Sequence, residues 1–182
     1  RSLKPNLRPI SESKLISPVD GVVSQEGKIQ DSQILQAKGR QYSTSELLAD
    51  KASEELENGS FATIYLSPKD YHRIHMPCDG VLRSMKYIPG NLFSVNQKTV
   101  NQVKRIFARN ERLICLFDTD FGVMAFVLVG AIFVGSMQTQ WQGQITPPYS
   151  KTVINYDYKG REIRLAKGDE LGRFNMGSTV IM

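Results

Sequence analysis

Cysteine is scarce in this chain: Cys78 and Cys115 are the only two among 182 residues, and they form no CxxC pair. So sparse a set cannot build a disulfide framework, and it favours a reducing compartment. Histidine is equally scarce, with both copies in one stretch, Tyr71-His72-Arg73-Ile74-His75-Met76-Pro77-Cys78. Any imidazole chemistry is therefore confined to that stretch. Long apolar runs are also lacking. Phe121 to Met137 is uncharged but falls just short of the ~20 residues that span a bilayer as a helix. Its Gly122, Gly130 and Gly135 interrupt a run of β-branched residues, which predicts two buried strands with a bend between them. Basic residues interleaved with aromatics, the mark of a nucleic-acid module, are missing too. No signal peptide opens the sequence and residue 1 is Arg, so it reads as a fragment or trimmed chain, with targeting or anchoring sequence expected outside it.

What is present describes a folded protein. Apolar residues make up 41% and charged residues 23%, enough of each to exclude wholesale disorder and to fill a sizeable core in one medium domain or two packed halves. The net charge of +5 and a pI near 9.2 favour anionic partners: nucleic acid, lipid headgroups or acidic metabolites. Lys4, Arg8 and Lys14 form one basic group and Lys104, Arg105, Arg109 and Arg112 another, each reading first as a solvated face.

Residues 1–16 are polar, contain Pro5 and Pro9, and read as an arm or linker ahead of a domain over 17–182. Ser43-Thr44-Ser45-Glu46 matches a capping box and starts one helix that ends at Asn58-Gly59. The remainder is predominantly strand: 19–25, 61–66, 80–88, 113–117, both halves of 122–137, and 152–156. Pro18-Val19-Asp20-Gly21-Val22 and Pro77-Cys78-Asp79-Gly80-Val81 echo each other as P-x-D-G-V turns, in which Gly is expected to accept positive φ. With Lys167-Gly168-Asp169-Glu170, the pattern suggests an α+β, mostly β fold. Its antiparallel core is expected to resemble a barrel-sandwich of the lipoyl type, with a few short helices.

Three functional readings compete on the residues alone. His72, His75 and Cys78 are zinc-type ligands and admit a metal-dependent hydrolase, although no fourth ligand lies beside them and a three-residue spacing on a strand turns the two rings to opposite faces. The P-x-D-G-V echo admits a non-catalytic lipid or cofactor-carrier module. The third reading rests on Gly172-Arg173-Phe174-Asn175-Met176-Gly177-Ser178-Thr179-Val180-Ile181, a Gly-Ser-Thr step ahead of an apolar run.

Taken with Pro18-Val19-Asp20-Gly21 and Tyr71 to Cys78, that tail resembles the phosphatidylserine decarboxylase proenzyme family, in its bacterial members, from about Ile16 to the last residue. Ile34 to Gly39, Pro89 to Val95 and Phe107 to Arg112 share the likeness. The resemblance implies a lyase that cuts itself between Gly177 and Ser178 and converts Ser178 into a covalent pyruvoyl cofactor. That group would decarboxylate phosphatidylserine to phosphatidylethanolamine through a Schiff base, with no metal. It assigns His75 as the base for cutting, Asp20 as the group orienting it, and His72 to the later proton transfers. Ser94, Tyr71 and Phe93 become substrate-binding candidates, Tyr71 as an aromatic wall. It also implies paired α and β chains from one precursor, a homodimer, and peripheral attachment at the cytoplasmic face of a bacterial cell membrane. Asp79 and Cys78 read as structural.

Overall fold

The computed structural model describes residues 7–132, 136–158, 160–175 and 178–182. β-Branched and aromatic alternation makes strands of most of them. In chain order they are β1 (Val22–Lys28), β2 (Gln33–Ala37), β3 (Arg40–Ser43), β4 (Ser60–Leu66), β5 (Arg73–His75), β6 (Gly80–Ile88), β7 (Arg112–Thr119) and β8 (Gly122–Val129). They continue as β9 (Met137–Thr139), β10 (Gly143–Thr146), β11 (Ile154–Tyr156), β12 (Arg164–Leu165), β13 (Glu170–Phe174) and β14 (Ser178–Ile181). The helices are short: α1 (Thr44–Leu48), α2 (Gln97–Val100), α3 (Ile106–Arg109) and a 3-10 turn (Lys51–Leu56). An α+β fold, predominantly antiparallel β, is what the sequence predicts and what the chain forms.

The large sheet has eight strands in the order β1-β4-β14-β8-β7-β6-β11, with β12 also pairing β6. A four-stranded sheet runs β10-β9-β13-β5, and β2 pairs β3 apart from both. β14, late in sequence, is inserted between β4 and β8 rather than added at an edge. All four of its residues are buried. Burying Val180 and Ile181 contributes about 1.5–3 kcal/mol each. Of the 121–137 run, Gly122–Val129 forms β8, but among its other described residues only Met137, the start of β9, is strand, so the second expected strand is not formed there; 133–135 lie outside the described residues. Among the described residues no helix is long and apolar enough to cross a membrane.

Three local expectations need correction. The single helix expected after Ser43 is two pieces. The capping box forms as anticipated, with the Ser43 hydroxyl accepting from Glu46 N–H and the Glu46 carboxylate from Ser43 N–H. Ala49 then adopts φ +46°, which ends α1, and Asp50 caps the 3-10 turn that follows. The glycines of the two P-x-D-G-V turns are not at positive φ. Gly21 is needed for close approach, because a Cβ there would sit 2.6 Å from the Tyr65 carbonyl oxygen of β4; at Gly80 it would meet Met76 at 2.9 Å.

The third correction concerns Arg112, which is buried at 4% exposure instead of belonging to a solvated face. Its guanidinium donates to the carbonyls of Glu46 (2.9 Å), Leu47 (2.7 Å), Ala108 (2.8 Å) and Asn110 (3.1 Å). These are orphan acceptors at the C-terminal ends of α1 and α3, so one side chain satisfies both. Burial lowers its pKa to about 10, which still leaves it charged at neutral pH. Arg112→Met should therefore lower unfolding free energy by about 3 kcal/mol through the unpaired carbonyls left behind. Urea denaturation measures this, and an unchanged midpoint would refute the role.

Candidate functional site

β5 is only three residues long; it ends on His75, and His72 immediately precedes it. Ile74 is fully buried, so strand alternation puts Arg73 and His75 together on the opposite face. His72 precedes the strand, with its carbonyl accepting from Phe174 N–H at 3.0 Å. His75 pairs with Glu170 at the far end of β13, and its own N–H donates to the Pro18 carbonyl at 2.8 Å. The two rings thus serve opposite ends of the β5–β13 ladder, and about 10 Å of strand separates the two residues.

The His75 end opens on a cavity of about 400 Å³ lined by Arg8, Ile10, Asp20, Tyr71 and Gly168, among others. Nδ1 of His75 lies 2.7 Å from the Gly168 carbonyl oxygen, which can only accept, so Nδ1 carries the proton. In the neutral ring Nε2 is then an acceptor, and the Tyr71 hydroxyl sits 3.0 Å from it. The two rings also stack, 5.8 Å between centroids and 17° apart. Burial pushes the Tyr71 phenol above its ordinary pKa, which keeps the donor proton in place. Gly168, at φ +90°, turns the chain so that its carbonyl faces the imidazole, and Ile10 packs against the space where a side chain would be.

Asp20 lines the same cavity but does not hold the His75 ring in this arrangement. Its carboxylate accepts from Arg8, with Nε at 2.8 Å and Nη2 closer still. The same guanidinium lies 4.5 Å over the Tyr71 ring. In place of the expected Asp20–His75 contact, a fork-shaped cation holds the acid while a backbone carbonyl accepts a hydrogen bond from Nδ1–H. From the segment read as an arm or linker, Arg8, Pro9, Ile10, Ser11, Leu15 and Ile16 line this cavity, and Lys167 Nζ donates to the carbonyls of Ser11 (2.9 Å) and Ser13 (3.1 Å).

At the other end, His72 lines a cavity of about 440 Å³ with Asp70, Arg73, Arg173 and Asn175. Nδ1 of His72 donates to the Asp70 carbonyl at 2.6 Å, and its buried Nε2 has no hydrogen-bond partner among the described residues. Ser178 opens β14 three residues after Asn175; its hydroxyl is buried and likewise has no hydrogen-bond partner among the described residues. Unsatisfied buried polar atoms are uncommon in folded proteins, and where they occur they call for a reason. No described hydrogen bond joins Ser178 to either histidine. Gly177, on the other side of the expected cut, lies outside the described residues.

Ser94 and Phe93 sit elsewhere, on the loop after β6. Asn110 pins that loop, donating to Phe93 O at 2.8 Å and accepting from Phe93 N–H at 3.1 Å, while Arg109 covers the Phe93 ring at 5.0 Å. Ser94 accepts from Asn96 N–H at 3.4 Å. Neither residue is hydrogen-bonded to a histidine or lines either histidine cavity. Cys78 is buried, with burial raising its thiol pKa, and Asp79 accepts from Lys167 N–H at 2.7 Å as a turn residue. Among the described residues no three His, Cys, Asp or Glu side chains converge as metal ligands. Sequence reasoning missed Arg8, Gly168 and Arg173 as parts of the two cavities. Arg8 read only as part of a solvated basic group, Arg173 only as part of the 172–181 stretch, and Gly168 only as part of a turn.

The whole chain, residues 1–182, matches the family model for phosphatidylserine decarboxylase, and the protein belongs to that family. Its relatives are named as phosphatidylserine decarboxylase proenzymes. Those of Acidovorax ebreus, Vibrio parahaemolyticus and Chromobacterium violaceum are 55%, 56% and 54% identical over all of this chain. The chain spans 65–66% of the length of these relatives.

The hydrogen bonds at His75 predict a specific tautomer. Nitrogen-15 NMR of the neutral ring should show a protonated Nδ1 and an unprotonated Nε2. Tyr71→Phe should leave that pattern intact because Gly168 dictates it, and a protonated Nε2 in the parent would contradict the geometry.

Proposed function

We propose that the complete protein is a self-cleaving, pyruvoyl-dependent lyase that decarboxylates phosphatidylserine to phosphatidylethanolamine. The observation that carries this reading is the buried, unpartnered Ser178 hydroxyl at the first residue of an inserted strand. An oxygen nucleophile shielded from water and without a hydrogen-bond partner among the described residues is suited to attack on its own backbone. Family membership supports the same reaction class.

In the first reaction a base takes the Ser178 hydroxyl proton and the oxygen adds to the Gly177 carbonyl. The peptide C–N bond breaks, the Ser178 nitrogen is protonated, and an ester joins the two residues. Removal of the Ser178 α-proton then expels Gly177 as a carboxylate, leaving dehydroalanine. Its imine tautomer takes up water and loses ammonia, and a ketone terminus results. Gly177 suits the step because it has no side chain to obstruct the nucleophile. His75 is the proposed base, since its Nε2 is an acceptor in the neutral ring, and Asp20 supports it from the same cavity once released from Arg8.

Two buried polar atoms left without partners among the described residues, the Ser178 hydroxyl and His72 Nε2, suit the formation and use of a pyruvoyl group. Such a group supplies an electrophilic ketone that accepts the electron pair left when carbon dioxide departs. His72 serves proton transfer: Nδ1 is anchored on the Asp70 carbonyl, so Nε2 can take up and return a proton. Tyr71 walls the neighbouring cavity. The net charge of +5 suits peripheral docking to an anionic bilayer, at about 1 kcal/mol per well-placed basic side chain.

A second assignment of the bases is favoured by one observation. His72, not His75, sits at the Phe174 end of β13 and lines the cavity with Asn175, three residues before Ser178. It would make His72 the base for cutting.

Intact mass spectrometry of the full-length protein decides these points. The parent should give two chains, the smaller one blocked to N-terminal sequencing, while Ser178→Ala should give one. His75→Ala should slow cutting at least ~100-fold and Asp20→Ala by a smaller factor, the range expected for general-base removal. His72→Ala should cut normally yet lose decarboxylation. Cutting that stops in His72→Ala and persists in His75→Ala establishes the second assignment. An uncut parent with no ketone to trap would sink the reading altogether.

A further inference from the structure

The cavity beside His72 carries a positive charge that the fold leaves unanswered. Arg173 of β13 and Arg73 of β5 are directly opposite each other in the antiparallel ladder, so both guanidinium groups rise from one face of the small sheet. Like charges in that relation repel, and each needs a counter-charge or a role. Arg73 has one, a largely buried ion pair with Glu170. Arg173 has none among the described residues: its Nε donates to Gln138 Oε1 at 2.9 Å, and no carboxylate pairs with it. Gln138 is Arg173's register partner on β9, so the contact fixes the plane of the guanidinium without neutralising it.

The one carboxylate lining this cavity, Asp70, accepts from the Ser67 N–H at 2.8 Å as part of its own turn. Arg173 is half-buried at the wall of a polar cavity it shares with Arg73 and His72. A fixed, partly dehydrated guanidinium with an open edge is the standard recognition element for a tetrahedral or planar oxyanion.

We propose that Arg173, held by Gln138 and reinforced by Arg73, binds the phosphodiester of the phospholipid headgroup. This rests on the decarboxylase reading and names the anchor of its substrate. A phosphodiester and a carboxylate both offer paired oxygens, but the reaction discriminates between them. The carboxylate loses its charge on the way to carbon dioxide, so a strong ion pair there would stabilise the ground state more than the transition state. The phosphodiester keeps its charge throughout, and binding it orients the serine moiety without opposing the chemistry. His72, on the same wall, then faces the reacting end of a headgroup tethered through its phosphate.

The test uses full-length, processed enzyme. For Arg173→Gln, KM for phosphatidylserine in mixed micelles should rise at least tenfold while kcat changes less than threefold; Arg173→Lys, which keeps charge but loses the fork, should fall between. Arg164→Gln, an exposed arginine away from the cavity, is the control for general charge loss. Urea midpoints establish that each variant is folded. A second readout needs no turnover: parent and variants are reduced with borohydride to inactivate the ketone, then titrated with glycerophosphoethanolamine, which has the phosphodiester but no carboxylate, and with L-serine, which has the reverse. A tenfold or greater loss of glycerophosphoethanolamine affinity in Arg173→Gln, with L-serine binding unmoved, supports the proposal. Loss confined to L-serine assigns Arg173 to the carboxylate and overturns it. Unchanged KM and unchanged titrations also overturn it and leave the decarboxylase reading standing, whereas a parent that binds both probes but never decarboxylates overturns that reading instead.

Discussion

The placement of β14 between β4 and β8 is the constraint on which the rest of the structure depends. Ser178 pairs with Leu66 and Thr179 with Tyr65 on one side, and Thr179, Val180 and Ile181 pair with Val129, Leu128 and Val127 on the other. A strand laddered on both edges cannot drift, so the first residue of β14 is held in a dry position with its hydroxyl unpartnered. The same ladders would retain the strand in the sheet after any break in the chain just before it. The buried position of the Ser178 hydroxyl and the firm hold on β14 thus come from one topological fact.

The small sheet works as the second fixed element. β13 runs from the Gly168 turn to Asn175, and β5 lies along it, so each histidine receives its surroundings from a different end of one ladder. Backbone carbonyls fix both rings: Gly168 for His75 and Asp70 for His72. In each the contact is to Nδ1, and in a neutral ring this leaves Nε2 as the acceptor. A carbonyl cannot change protonation state, so these tautomers are set by main-chain geometry, independently of any side-chain charge.

Outside the two cavities, buried polar residues organise the short helices. Arg112 closes the ends of α1 and α3, Gln36 donates to the carbonyls of Val100 and Val103 and accepts from Ile106 N–H, and Asn110 grips the loop that carries Phe93 and Ser94. Helices of four or five residues have no stability of their own in water. Tertiary hydrogen bonds of this kind hold them.

How much was legible follows from the range of each force. Strand positions such as β6 and β8, the capping box at Ser43 and Glu46, and the concentration of chemistry at 71–78 and 172–181 are short-range facts, fixed by steric preference, hydrophobic alternation and residue identity. The sequence by itself determined these, along with the family. Only the tertiary structure decided that Asp20 would meet Arg8, that the Gly168 carbonyl would accept from His75 Nδ1–H, that Arg112 would be buried, and that Arg173 would stand opposite Arg73. Each depends on which distant strands become neighbours, and that pairing is settled by the collective burial of apolar faces. No residue can declare it alone.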